Sequence, residues 1–113
     1  MVAAALEAAY DLQDEGIEAR VLDIHTVKPL DEIAIEQAAY ETGAIVTAEE
    51  HSLHGGLGAA VAQAVVKRQP VPMAFVGIRD EYAESGEPEE LLQKYGLMPG
   101  DIREAVHSAI LRK

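Results

Sequence analysis

Cysteine is absent from this sequence, and with it go disulfides, zinc–thiolate sites and thiol nucleophiles. A chain free of cysteine suits a reducing compartment, so a cytoplasmic location is expected. Tryptophan is absent too, and one phenylalanine and four tyrosines leave the core to Ala, Val, Leu and Ile. Basic residues are few: nine Lys and Arg against 20 Asp and Glu, a net charge of −11. Apart from Lys67-Arg68 and Arg112-Lys113 they are scattered, which argues against nucleic acid, whose phosphates need clustered cations. No apolar run approaches the roughly 20 residues of a membrane span. The first residues lack the basic flank and apolar stretch of a signal peptide, so no membrane partner is expected.

What remains is a chain of 113 residues, 49% hydrophobic and 26% charged, the mix of one globular α/β domain spanning 1–113. Val2, Ala5, Leu6, Ala9 and Leu12 recur at helical spacing up to Glu15, and Gly16 is a natural terminator. Arg20 to His25 reads as a strand rich in branched aliphatics, which Pro29 closes. Asp31 caps a helix to about Thr42, with Ile33, Ala34, Ala38 and Ile35 inward and Gly43 as its stop. Ala44 to Ala48 is a second strand, apolar enough to be buried on both faces. A helix to Arg68 carries Leu57, Ala60, Val61, Ala64 and Val65 inward, and Met73 to Ile78 is the third strand.

Pro88 opens a short helix closed by Gly96, and a last helix from Pro99 to Leu111 turns Ile102, Ala105, Val106, Ala109 and Ile110 inward. The alternation implies crossover connections and a three-layer α/β/α sandwich around a mostly parallel sheet. One feature breaks the pattern. The chain opens on a helix, and three strands make a thin sheet for two helical layers; a strand before Val2 would complete it.

In parallel α/β domains the loops leaving the carboxyl ends of the strands share one rim, where ligands bind. His25 and Lys28 leave the first strand there, EEHSLHGGLGAA (Glu49 to Ala60) the second, and Arg79-Asp80-Glu81 the third. In the second loop His51, His54, Gly55, Gly56 and Gly58 are candidate contacts for an anion or a neighbouring domain. Glycines that open a helix leave backbone N–H groups free, and the helix dipole favours negative charge. The dinucleotide fingerprint does not match: Val61 stands where Gly or Ala is required, and no acidic residue follows at the right strand end. His51 and His54, three apart without a third ligand of fixed geometry, do not make a metal site.

Several strings in order also resemble one family. Val21-Leu22-Asp23-Ile24-His25-Thr26-Val27-Lys28-Pro29-Leu30-Asp31 is similar to a segment of the C-terminal domain of transketolase-like enzymes. Thr42 to His51, the Gly55-Gly56-Leu57-Gly58 run, Val76 to Asp80 and Glu84 to Leu97 resemble the family's later motifs in register. The likeness is closest to transketolase, including forms split into two polypeptides. The 1-deoxyxylulose-5-phosphate synthases and the β chains of 2-oxoacid dehydrogenases share the domain.

The resemblance implies ketol transfer between sugar phosphates, as in the pentose phosphate pathway, by a dimeric enzyme. It implies thiamine diphosphate and a divalent metal held by separate pyrophosphate- and pyrimidine-binding domains, not by this chain. It assigns no catalytic or metal-binding residue here, and leaves a structural, dimer-contact or regulatory role. It also implies a strand before Val2, between those matching 20–25 and 44–48. The chain is therefore expected to close that gap by pairing those two strands directly or through another chain. Two other readings stand beside this one: a stand-alone anion- or nucleotide-binding module, and a pure interaction domain.

Overall fold

The computed structural model describes residues 2–24, 29–52, 56–78 and 98–113, and only the backbone at Glu50, His51 and Ser52. The expected short helix from Pro88 to Gly96 lies outside the described residues. Among the described residues six elements follow one another: α1 (Val2–Gln13), α2 (Glu32–Thr42), β1 (Ile45–Ser52), α3 (Leu57–Arg68), β2 (Met73–Ile78) and α4 (Pro99–Leu111).

Their ends follow from local chemistry. The Asp31 side chain accepts the Ala34 N–H at 3.1 Å and so caps α2. Gly43 closes the same helix at φ +80°, a left-handed conformation that costs glycine nothing, and its N–H returns to the Ala39 carbonyl at 2.9 Å. Asp101 in the first turn of α4 accepts the Met98 N–H at 2.8 Å, with Pro99 pre-set for the first helical position. Lys67 and Arg68 end α3, where cations favour the helix dipole, and they reach across to Glu32 and Glu36 of α2.

β1 and β2 are parallel, joined by the crossover through α3, in the register Ile45↔Met73 to Ala48↔Val76. Between Ala48 and Ser52 four steps along β1 match two along β2, so an irregularity falls on Glu49 to His51. One face of this pair packs on α2 and α3 through Ile35, Val61, Ala64, Val65 and Met73. The other packs on α1 and α4 through Ala8, Val76 and Ile102. This is the expected layering of helices on both faces of a parallel sheet.

The structure departs from expectation at the first strand and on two helix faces. The strand expected over 20–25 is not formed in the described part, 20–24, which is irregular, and among the described residues the sheet has two strands. Direct pairing with 44–48 is therefore not made by the described residues 20–24. The segment 17–24 and β1 instead line an open groove of about 1060 Å³, together with α1, α2 and α4. A strand exists only through its ladder, and residues 17–24 belong to none among the described residues. Arg20 holds it to α2 through Glu41 at 2.6 Å.

The buried stripe of α1 centres on Ala8 and Leu12, while Leu6 is 54% and Val2 44% exposed. Ile33 of α2, expected inward, is 71% exposed, and Ala39 is buried in its stead. In both helices the apolar spacing admitted more than one face, and packing chose.

Candidate functional site

Because β1 and β2 are parallel and Ser52 is in register with Ile78, the chain leaves both strands at one edge, as a shared rim requires. His25, Lys28, His54, Gly55 and Arg79 to Glu81 lie outside the described residues. His51 sits on the last pleat of β1. Gly56 and Gly58 flank the start of α3, Gly56 in an extended conformation at φ −97°.

The dominant feature at this edge is Glu49, whose place in the sequence marks it only as the end of a strand. Ile45, Thr47 and Glu49 alternate onto the α3 face of β1. Glu49 is 6% exposed. One carboxylate oxygen accepts the Leu57 N–H at 2.9 Å and the other the Gly58 N–H at 2.6 Å. Gly56 supplies no side-chain cap, so Glu49 caps α3 from the neighbouring strand. Two charge-assisted hydrogen bonds and the positive end of the helix offset the desolvation of its charge.

Glycine at 58 is what lets the carboxylate approach. A Cβ there would lie 3.0 Å from the Phe75 ring, 3.0 Å from Thr47 Oγ1 and 3.1 Å from Glu49 Oε2. Thr47 is 5% exposed and its hydroxyl has no hydrogen-bond partner among the described residues. The sequence does carry a signal for this arrangement: a carboxylate on the buried parity of a strand, directly before a glycine-opened helix.

The helix start is therefore not an open anion cradle. An external phosphate at the Leu57 and Gly58 N–H groups would have to displace Glu49. Nor do the described residues bring together three or more His, Asp or Glu side chains able to hold a metal ion. These residues do not fit thiamine diphosphate with its metal, and no chemical step through that group follows from this chain. A second cleft, of about 600 Å³, lies between the end of α1 and the start of α4. There His107 Nε2 stands 2.9 Å from Glu15 Oε1.

Comparison with known proteins places this geometry. The family model of the transketolase C-terminal domain matches residues 1–102. The 6-deoxy-6-sulfo-D-fructose transketolase subunit SqwH of Clostridium sp. (strain MSTE9) is 48% identical over 113 residues, 100% of this chain and 35% of that protein. An apulose-4-phosphate transketolase subunit of Phocaeicola vulgatus is 47% identical over 93 residues, 82% of this chain and 30% of that protein. A 1-deoxy-D-xylulose-5-phosphate synthase of Heliobacterium modesticaldum is 43% identical over 104 residues, 90% of this chain and 16% of that protein. A solved split-gene transketolase, an inactive beta4 tetramer, superposes with a TM-score of 0.94 at 48% identity, over 99% of this chain and 37% of that one. The chain thus spans about a third of the length of its split-subunit relatives.

Proposed function

The chain belongs to the transketolase C-terminal domain family, and we propose that it works as the C-terminal part of a split transketolase-like enzyme that moves a two-carbon ketol unit between sugar phosphates. The observation that carries this reading is the 48% identity and 0.94 TM-score to a split-gene transketolase over nearly the whole chain. In the proposed enzyme, thiamine diphosphate and its divalent metal sit on pyrophosphate- and pyrimidine-binding domains outside these residues and supply the carbon nucleophile. The chain here contributes architecture: a parallel sheet whose carboxyl edge, where Glu49 caps α3, faces a neighbouring domain. The working unit is an oligomer of such chains with the cofactor-binding domains, in the cytoplasm.

The substrate follows from elsewhere in the assembly. Two of the relatives carry different sugars in their names, a sulfo-fructose and apulose 4-phosphate. Substrate choice among sugar phosphates, the pentose phosphate pathway included, is accordingly assigned to the cofactor-binding domains rather than to this one.

The test is reconstitution. Cofactor-binding domains of a split transketolase should transfer ketol units with thiamine diphosphate and Mg²⁺ only when joined to this domain. Undiminished transfer without it would remove the proposed role. Calorimetry of the isolated chain with sugar phosphates and nucleotides separates the anion-binding alternative, which requires measurable heat. Glu49 at the helix start favours none.

A further inference from the structure

Ile33 and Tyr40, 71% and 78% exposed, stand seven residues apart on α2, two turns along one side, with Gln37 between them. Val66 of α3, next in the chain to Lys67, is exposed as well. The charges around this ridge cancel. Every acid of α2 has a cation beside it: Glu32 has Lys67 at 3.3 Å, Glu36 has Arg68 at 2.9 Å, and Glu41 has Arg20 at 2.6 Å. Three acids against three bases leave the whole net charge of −11 to the rest of the chain.

The exposed apolar side chains of α1 are placed differently. Leu6 and Tyr10 stand out there, but Glu7 and Asp11 lie beside them and residues 1–19 hold no Lys or Arg. Two copies meeting on α1 bring like charges together, which opposes contact in so acidic a chain. On α2 a second copy meets no such repulsion.

The ridge also matches itself. With two copies antiparallel about a two-fold axis near Gln37, Ile33 of each packs on Tyr40 of the other, the self-complementary pattern of an isologous dimer. Helix axes 8–10 Å apart, with Cα atoms about 2.3 Å from each axis, bring the two backbones to within roughly 4–6 Å at that point. A helix about 16 Å long buries less than the roughly 1,200 Å² of stable complexes, so the contact is of the weak, reversible kind.

We propose that α2 is a self-association surface, on which a second copy of this chain docks antiparallel through Ile33, Gln37 and Tyr40. The inference rests on the oligomer of such chains proposed above and gives it one specific contact. Reconstituted ketol transfer tests the enzyme and self-association tests the contact, so the two fail separately.

Sedimentation equilibrium of the full chain should show a reversible monomer–dimer equilibrium with a micromolar Kd, tightened by salt, which screens the excess negative charge. Ile33→Gln with Tyr40→Gln should weaken it by about tenfold or more while the circular dichroism is kept. Leu6→Gln with Tyr10→Gln, the same change on α1, should leave it unaltered. Because the chain has no cysteine, Gln37→Cys supplies a single thiol at the axis, within reach of its copy. It should oxidise to a covalent dimer about tenfold faster than Tyr10→Cys. A chain monomeric at millimolar concentration, equal loss from the α1 and α2 pairs, or equal oxidation at both positions overturns the proposal. So does protection of α2 amides from hydrogen exchange that arises only on adding cofactor-binding domains, which would give the face to them.

Discussion

Glu49 ties sequence to rim geometry more directly than any other described side chain. Removing both acceptors in Glu49→Ala leaves the Leu57 and Gly58 N–H groups without their partner and should cost about 3 kcal/mol in urea unfolding. Glu49→Gln keeps one acceptor but turns an amide N–H toward the helix, and an intermediate loss is expected. Gly58→Ala sets the helix gain against the crowding of its Cβ. Contacts at 3.0–3.1 Å from three side chains decide for destabilisation, by about 1–3 kcal/mol. Gly100→Ala is the control: its nearest neighbour, Arg103 Nη2, stands at 3.6 Å, so the helix gain of up to about 0.8 kcal/mol should survive. Thr47→Val removes a buried hydroxyl that has no partner among the described residues and should raise the unfolding midpoint. At this scale the sequence was half legible. Gly56 and Gly58 announced a turn into a helix, but only folding showed that the carboxylate nine residues before Gly58 is the ligand of that helix.

At the scale of elements, caps and stops were readable because they depend on neighbours in the chain. Asp31, Gly43 and Pro99 act within one helical turn, and all three do what their residue types predict. Asp31→Ala should therefore cost about 1 kcal/mol, read as a shift in the urea midpoint. The irregular segment 17–24 follows another logic, since its tie to α2 is ionic. Hydrogen bonds from Arg20 and then Gln37, with the charge of Arg20, hold the Glu41 carboxyl below its ordinary value of 4.5. A depressed carboxylate stabilises the fold above its unfolded pKa, and the contribution is lost as pH falls through the folded one. The difference in urea midpoint between the parent chain and Arg20→Ala should thus be full at pH 7 and shrink below about pH 4.5. A difference independent of pH would assign Arg20 a packing role. Which face each helix buries was less legible. Leu6 and Ile33 have the residue type and spacing of core positions but stand exposed, because other faces of α1 and α2 meet the sheet.

For the whole molecule, two core clusters on opposite faces of one parallel pair of strands hold the helices to the sheet. Leu12 and Val65, fully buried on α1 and α3, mark the two halves. Leu12→Ala should cost about 2–5 kcal/mol and lower the thermal midpoint accordingly. The groove of about 1060 Å³ lies beside β1, between residues 17–24 and the helices. By itself the sequence determined the helices over 2–13, 32–42, 57–68 and 99–111, the strands at 45–48 and 73–78, the layered α/β class and the family. Each of these rests on periodicity, local caps and ordered motifs, which need no knowledge of distant contacts. Only the tertiary structure decided that Arg20 to Ile24 is not a strand, that Glu49 occupies the start of α3, and that an open groove flanks β1. A ladder, a remote cap and a cavity are each made by residues far apart in the chain, and their energies exist only once those residues meet.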